Sequence, residues 1–400
     1  MSYQPSQKIL EKYADVIVNF ALNDCKGIKK GDVVYINVPE NAKPFYVALR
    51  KAVLKSGGNP IMKYTPDSTS REFYELASDE QIKFFPSKFL KGLIDQIDHY
   101  VVIEADTNPH ELEGINPKKI MLGQSAYKPY MKWRDEKENA GKFTWCIALY
   151  GTEEMAKEAN LSLKEYWEQI IKACFLNYPS PVKKWKQVNA ELDRLKNTLN
   201  KMKIEKVHIE AKGTDLIVGL GKNRRWMAGR GRNIPSFEVF ISPDCRMTQG
   251  HITFNEPLYR YGSLIKDVYL EFDKGKVVKA TAKKGQKVLQ EIIRTKNANK
   301  IGEFSLTDSR LSKITKFMAT TLFDENHGGR YGNSHLALGR AYQDSYPGNP
   351  SKVKKSKWQS MGYNDSVIHT DIVSSLPKIV TAYLPNGKTK VIYKDGKFLI

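Results

Sequence analysis

The chain has 400 residues, 41% of them hydrophobic and 27% charged, which is the composition of a folded protein too large for one hydrophobic core. No run of roughly 18 or more apolar residues is present, so a membrane-spanning helix is excluded. The net charge of +20 at pH 7 favours an anionic partner, nucleic acid included. The lysines are spread along helices, however, and no RNP-like motif, zinc finger or arginine-rich tail accompanies them. A lysine-rich surface explains the charge equally well, and we expect no nucleic-acid partner.

The cysteines predict a reducing environment. Cys25, Cys146, Cys174 and Cys245 are scattered, with neither CxxC spacing nor the density of a disulfide framework. The first residues lead directly into an amphipathic helix and lack the apolar core of a signal peptide. The expected location is the cytoplasm.

Apolar strands alternate with amphipathic helices in the first half of the chain. Strands are predicted at 33–38, 60–64, 99–104 and 143–149, and helices at about 7–25 and 42–55, with short helices between 70 and 96. This alternation predicts a doubly wound, mostly parallel α/β sheet. Neither GxGxxG after the first strand nor GxxxxGK[ST] occurs, so a nucleotide cofactor is not expected.

A break at Tyr178-Pro-Ser-Pro181 marks the predicted domain boundary. A long helix is expected at about 182–201, and the chain then becomes rich in strands. The sequence therefore predicts a doubly wound α/β domain over residues 1–178. It predicts an α+β, strand-rich catalytic domain over residues 179–400.

Two polar side chains share one face of an apolar strand near the end of the chain. His369 and Asp371 lie two positions apart among Val and Ile, so an extended strand points both the same way. A buried carboxylate without a positive partner costs several kcal/mol. A divalent metal is one such partner, because imidazole and carboxylate are ordinary ligands. A mutually satisfied His–Asp pair is the other interpretation.

Further candidates stand in three other segments. Glu238 falls in an apolar strand, where the alternative is an edge strand with one solvated side chain. Glu303 follows Gly302, which permits close approach of another backbone, although a solvated strand end is the alternative. Glu325 belongs to a third segment.

His335 and Tyr342 complete the third segment. They lie seven positions apart, about two helical turns, so a helix would place both on one face. The alternative is a core helix with a satisfied histidine. None of these groups is specific alone.

Together the segments resemble the aminopeptidase T and aminopeptidase S family of metallopeptidases. The resemblance rests on Asn233-Ile-Pro-Ser-x-Glu238-Val-Phe, Gly302-Glu303, Leu322-Phe-Asp-Glu-Asn326, His335-Leu-Ala-Leu-Gly-Arg-Ala-Tyr342 and Asn364-Asp-Ser-x-x-His369-x-Asp371, in the family's order. It implies a two-metal exopeptidase, usually dimeric, with a doubly wound N-terminal domain and a catalytic C-terminal domain.

The resemblance also implies roles for residues. The implied metal ligands are Glu238, Glu303, Glu325, His335, His369 and Asp371, and the implied site tyrosine is Tyr342. One departure is the segment 327–334, which intervenes where the family has a very short connection.

Elementary chemistry agrees with this ligand set. Two divalent ions ~3.5–4 Å apart need a bridging carboxylate and further carboxylates or imidazoles, and they activate a water for attack on the peptide bond. We expect Glu303 to bridge, and Tyr342 to ligate a metal or to donate a hydrogen bond to the tetrahedral oxyanion. Zn, Co, Mn and Mg all suit such ligands. The predicted substrates are peptides with a free N-terminus. The protein is expected to be a homodimer and to have no membrane partner. The alternative is a basic nucleic-acid-binding protein without peptidase activity.

Overall fold

A computed structural model describes residues 3–385 and 387–400. These residues form two compact units. The first contains the described residues up to Ala190 together with Gly229–Ser236 and Met318–Leu322. The second contains Glu191–Ala228, Phe237–Phe317 and Phe323–Ile400. The domain boundary near residue 178 stays a prediction.

Strands make up much of both units. In chain order they are β1 Val33–Pro39, β2 Asn59–Thr65, β3 His99–Glu104, β4 Thr144–Leu149, β5 Lys206–Ala211, β6 Thr214–Gly219, β7 Met227–Ala228, β8 Asn233–Ile234, β9 Glu238–Ile241, β10 Thr248–Phe254, β11 Leu258–Arg260, β12 Ser263–Asp273, β13 Lys276–Lys284, β14 Ile301–Thr307, β15 Asn333–Gly339, β16 His369–Ser374, β17 Lys378–Tyr383, β18 Thr389–Lys394 and β19 Lys397–Phe398.

Most helices lie in the first 202 residues. They are Gln7–Val16, which continues as a π-helical stretch over Ile17–Ala21 and a turn at Leu22–Cys25, then Lys43–Lys55, Ser70–Leu76, Asp79–Lys83, Ser87–Gln96, Pro117–Ala126, Lys128–Asn139, Glu153–Glu158, Leu163–Ala173, Pro181–Met202, Gln286–Arg294, Thr321–Asp324 and Lys355–Ser360. Among the described residues, none of these helices has both the length and the apolar character needed to cross a bilayer.

The first unit is built on a five-stranded sheet in the order β2-β1-β3-β4-β8. All its neighbouring strands are parallel, and the order reverses direction between β1 and β3, as in a doubly wound sheet. Alternate residues of β1, namely Val34, Ile36 and Val38, are fully buried. The predicted doubly wound α/β fold is confirmed.

The second unit contains two sheets with antiparallel neighbours. The larger runs β11-β12-β10-β6-β5-β17-β18-β19, with β13 also paired to β12. The smaller runs β16-β15-β14-β9-β7. Every residue of β14 and β15 is buried. The predicted α+β, strand-rich character of this part of the chain is also confirmed, and the smaller sheet carries the candidate site.

Gly302 allows a bulge in β14. The pairing of β14 with β15 shifts register between Ile301 and Glu303. A Cβ atom at Gly302 would collide with the carbonyl oxygen of Arg340, so only glycine fits without rearrangement. The predicted close approach of another backbone is confirmed, and the bulge sets the face on which Glu303 lies.

The prediction of a helix from His335 to Tyr342 is wrong. His335 lies within β15, and Tyr342 follows the strand after its end at Gly339. The apolar run between them is buried on both faces of the sheet, and a buried strand of this kind has no alternation that distinguishes it from a helix. Pairing with β14 and β16 decides in favour of the strand.

Candidate metal centre

Strand register brings the predicted ligands to one region of the smaller sheet. Glu238 is paired with Thr307 on β14, two positions from Ser305, which is paired with His335 on β15. Asp371 on β16 is paired with Ala337, two positions from His335. Because alternate residues of a strand share a face, three strands contribute side chains to the same surface that carries Glu303.

Three buried side chains form a first triad. The Nε2 atom of His335 lies 3.1 Å from Oε1 of Glu303 and 3.4 Å from Oε2 of Glu238. One ligand atom from each residue lies within 4.8 Å of the others. The side chain of His335 is 1% exposed, and those of Glu238 and Glu303 are 10% and 6% exposed. The alternative interpretation, a solvated Glu238 on an edge strand, does not hold, because β9 lies between β14 and β7.

A second triad shares Glu303 with the first. His369, Asp371 and Glu303 also offer ligand atoms within 4.8 Å of one another. The Nε2 atom of His369 is 3.3 Å from Oδ1 of Asp371. His369 and Asp371 are 19% and 13% exposed, so this triad is the more open of the two.

These separations fit metal coordination. Ligand atoms at 2.0–2.2 Å from a tetrahedral ion lie roughly 3.3–3.6 Å from one another. The contacts at 3.1, 3.4 and 3.3 Å fall close to that spacing before any ion is considered. Oxygen and nitrogen donors alone make up both triads, which suits a divalent ion of hard or borderline character. The donor sets therefore fit a divalent ion, and Glu303 is the residue that the two triads share.

Backbone carbonyls orient both histidines. The Nδ1 atom of His335 is 3.3 Å from the carbonyl oxygen of Glu325, and Nδ1 of His369 is 2.8 Å from that of Arg340. A carbonyl only accepts, so each Nδ1 carries a proton and donates it, which turns Nε2 toward the carboxylates. Sequence reasoning missed this support because a carbonyl group has no residue-specific signal.

The carboxylates and imidazoles hold one another in charged forms. Burial by itself would lower the pKa of His335, but the hydrogen bond to Glu303 and the nearby carboxylates raise it to about 9. Burial by itself would raise the pKa of Asp371, but the two histidines and Arg260 lower it to about 2. Burial by itself would also lower the pKa of His369, but the charge and hydrogen bond of Asp371 raise it to about 8. Asp371 is therefore ionised at neutral pH, as a metal ligand must be.

Tyr342 stands beside the second triad. Its ring centroid is 4.8 Å from that of His369, and its backbone N–H donates to Oγ of Ser242 at 2.9 Å. Burial, followed by the charges of Glu303 and Asp371, raises the pKa of the phenol well above its ordinary value. The phenol therefore keeps its proton and can donate a hydrogen bond.

Comparison with known proteins gives the family. The family model described as thermophilic metalloprotease (M29) matches residues 6–398. The chain belongs to this M29 family. It is 27% identical over 415 residues to aminopeptidase PepS of Streptococcus thermophilus and 27% identical over 417 residues to aminopeptidase T of Thermus thermophilus. Each comparison covers 98% of this chain and 98% of the relative.

A solved structure has the same fold. Wild-type AmpT from Thermus thermophilus superposes with a TM-score of 0.83 at 24% identity, covering 98% of this chain and 100% of that one. The M29 assignment confirms the predicted resemblance and the predicted class of enzyme, a metal-dependent peptidase.

Glu325 of this M29 chain lies near the triads without belonging to either. It is 6% exposed, and its carbonyl oxygen accepts the hydrogen bond from Nδ1 of His335. Its carboxylate Oε1 accepts a long hydrogen bond of 3.4 Å from Nδ2 of Asn326. The segment 327–334 follows, where Nδ2 of Asn333 donates to the carbonyl oxygen of His327 at 2.7 Å. Of the predicted ligands, Glu325 is thus the one that the geometry leaves outside both triads.

Asn326 has a role that the sequence did not reveal. Its Oδ1 accepts a hydrogen bond of 2.6 Å from the backbone N–H of Phe237, directly before Glu238. Its carbonyl oxygen accepts another, also 2.6 Å, from Oγ of Ser312. The side chain is fully buried. Asn326 therefore ties the segment of Glu325 to the start of β9, and only its place beside Glu325 in the motif hinted at this.

Proposed function

We propose that the protein is an aminopeptidase that uses two divalent ions to hydrolyse the N-terminal residue of peptides. The observation that carries the proposal is the position of Glu303 in two triads at once. A single-ion site needs no carboxylate shared in this way, whereas two ions ~3.5–4 Å apart require one. The M29 relatives named aminopeptidase support the choice of substrate.

Each side chain has a distinct part in this proposal. Glu238 and His335 would hold one ion, His369 and Asp371 would hold the other, and Glu303, which belongs to both triads, would be shared between them. Glu325 would add negative charge from nearby and is the further proposed ligand. When bound, the ions supply Lewis acidity that activates water and polarises the scissile carbonyl. Zn, Co, Mn and Mg are all compatible with these oxygen and nitrogen donors.

Tyr342 acts through its hydroxyl proton. Its raised pKa keeps the phenol protonated across the neutral range. A donor beside the second triad stabilises the negative charge that develops on the carbonyl oxygen during attack, and such donors are most effective where burial excludes water. Tyr342 is therefore the proposed oxyanion donor.

A free amino terminus suits the anionic surroundings. Glu303 and Asp371 belong to the more open triad, so an entering α-ammonium group meets negative charge there. Anchoring the amine beside the ions leaves the first peptide bond, and no later one, within reach of attack. Peptides with a free N-terminus are the proposed substrates.

Three further properties belong to the proposal. The four cysteines are free thiols, which supports a cytoplasmic location. The family resemblance supports a homodimer. The domain boundary near residue 178 is proposed for the continuous stretch that carries β1 to β4, which β8 joins from later in the chain.

The test compares a free with a blocked amino terminus. Leucyl p-nitroanilide and its N-acetyl derivative are offered to the purified protein, first as isolated and then after chelation and dialysis. Hydrolysis of the free substrate alone, lost on chelation and restored by a divalent ion, is expected. Equal cleavage of the acetylated substrate would contradict aminopeptidase specificity, and full turnover after metal removal verified by elemental analysis would contradict the metal mechanism.

A further inference from the structure

An arginine lies against the outer edge of β16, beside the more open triad. β16 is the last strand of its sheet, so within that sheet only one edge of β16 is paired, the edge that faces β15. The segment from Glu256 to Arg260 follows the other edge. The backbone N–H of Glu256 donates to the carbonyl oxygen of Val373 at 3.3 Å, and Nη2 of Arg260 donates to that of His369 at 3.3 Å. The guanidinium therefore lies next to the backbone of a proposed metal ligand.

A tight turn fixes the backbone of Arg260. β11 ends at this residue, and Arg260 is paired with Ser263 at the start of β12. The two residues between them, Tyr261 and Gly262, have φ values of 53° and 70°. Two positive φ values in a two-residue loop are the mark of the type I′ hairpin, whose twist matches that of the strands. The arginine is thus held at a defined position, and only its side chain is free to adjust.

The guanidinium has hydrogen-bonding capacity that the fold does not use. Among the described residues, the buried Nε atom of Arg260 has no hydrogen-bond acceptor. The contact of Nη2 with the His369 carbonyl is at the long end of the range for hydrogen bonds. An arginine with one unused donor and one weak contact on the same edge is poorly explained by stability alone, because a buried donor without an acceptor is unfavourable.

The positive charge lies beside the site. Nη2 of Arg260 is 3.3 Å from the carbonyl oxygen of His369, a member of the more open triad. The ring centroid of Tyr261 lies 5.1 Å from the guanidinium carbon of Arg260. The planar fork of an arginine matches a carboxylate through two parallel hydrogen bonds. Nε and Nη2 are the two donors on the edge that such a carboxylate would meet.

We infer that Arg260 binds a carboxylate group of the substrate. This inference rests on the proposed aminopeptidase function and makes dipeptides, or peptides with an acidic N-terminal residue, the favoured substrates. In the free protein Nε is shielded, so the side chain must turn off the His369 carbonyl to receive the ligand. Exchange of one 3.3 Å contact for two charged hydrogen bonds favours this movement. The carboxylate comes either from the C-terminus of a dipeptide or from an acidic N-terminal side chain.

Two substrate pairs distinguish these sources. Leucyl-alanine is compared with leucyl-alaninamide, and glutamyl p-nitroanilide with glutaminyl p-nitroanilide. If the C-terminus is the source, wild type prefers leucyl-alanine over its amide by roughly ten- to hundred-fold in kcat/KM, the range of a charged hydrogen bond. If the side chain is the source, a similar preference separates the second pair instead.

Variants assign the preference to Arg260. In R260Q the ratio of kcat/KM within the favoured pair is expected to fall to near one. In R260K an intermediate ratio is expected, because an ammonium group keeps the charge but not the fork. The matched control is R294Q, since Arg294 is 70% exposed and lies on a helix where it pairs with Glu291. The control ratio should equal that of wild type.

A binding measurement separates this inference from the peptidase proposal. Saturation-transfer NMR records binding of leucyl-alanine and of glutamate to metal-depleted wild type and R260Q, with melting curves to verify folding. A binding signal in wild type that is lost in R260Q supports carboxylate binding by Arg260, even if no substrate is cleaved. Absence of cleavage would then count only against the peptidase proposal. Unchanged ratios and signals in R260Q, or rates that fall together within each pair, would overturn the role of Arg260.

Discussion

Two carboxylates, one in each unit, respond to burial in opposite ways. Glu104 ends β3 of the parallel sheet, where Oγ1 of Thr320 donates to it at 3.1 Å. Burial, helped by the nearby charge of Asp106, raises the pKa of Glu104 to about 7. Asp371 in the smaller antiparallel sheet has its pKa lowered to about 2, because two histidines and an arginine outweigh its burial.

The difference shows what prepares a carboxylate for a metal. A hydroxyl donor does not replace a positive charge, so Glu104 holds its proton to unusually high pH. Imidazoles and a guanidinium keep Asp371 ionised, and the same imidazoles are the ones proposed to bind an ion through Nε2. The candidate metal centre is therefore recognised by its positive partners as much as by its carboxylates.

Removal of metal should have the largest effect. If the carboxylates and histidines of the two triads exist to hold ions, chelation leaves only a network of His–carboxylate pairs without Lewis acidity. Aminopeptidase activity should fall below detection and return when a divalent ion is added. Activity is measured on leucyl p-nitroanilide with parallel elemental analysis. Recovery with a monovalent salt instead would refute the assigned role of the triads.

Asp371→Asn should have the second-largest effect, on metal affinity. The amide removes the ionised ligand while keeping shape, so folding is expected to persist. Loss of a ligand should weaken metal binding by more than the roughly 10–100-fold typical of an outer partner. Calorimetric titration of the metal-free variant measures the affinity, and Asp365→Asn serves as the control because Asp365 is an exposed aspartate on the same segment. Wild-type affinity in Asp371→Asn would exclude this residue as a ligand.

Tyr342→Phe should have an effect on rate alone. The variant keeps the ring that lies 4.8 Å from His369 and loses only the hydroxyl. Loss of one oxyanion donor lowers kcat by ~10²–10³. Metal content should match that of wild type. If the variant instead loses metal and keeps the turnover of its loaded fraction, the tyrosine is a ligand and not a donor.

Glu104→Gln should have the smallest effect, on stability. The folded-state pKa of about 7 lies above the ordinary value of 4.5, so between these values the folded chain holds a proton that the unfolded chain has lost. Stability therefore falls as pH rises from 4.5 through about 7, by at most about 3 kcal/mol. Glutamine keeps an acceptor for Thr320 and removes the titration.

Melting curves at pH 5.5 and 8 test this stability effect. The melting temperature of Glu104→Gln should exceed that of wild type by a few degrees at pH 8, and the difference should be clearly smaller at pH 5.5, where only part of the stability loss has occurred. A constant difference at both pH values would mean that Glu104 does not titrate as described.

The fold class could be predicted from the sequence, and so could the candidate residues that the smaller sheet brings together, but not the contacts through which they meet. Alternation in β1 is a local signal, as is the pair His369 and Asp371 on one strand. The strand containing His335 has no such signal, since it is buried on both faces, and its identity depends on pairing with β14. Contacts such as Asn326 with Phe237 join residues 89 positions apart, which no periodicity encodes.

The count of ions per chain tests the central proposal most directly. Native mass spectrometry and elemental analysis are applied to wild type and to Glu303→Gln after saturation with a divalent ion. Two ions per wild-type chain are expected, with both affinities weakened in the variant, because Glu303 belongs to both triads. One ion per wild-type chain, or two tightly held ions with near-normal turnover in Glu303→Gln, would contradict the bridging role of this residue.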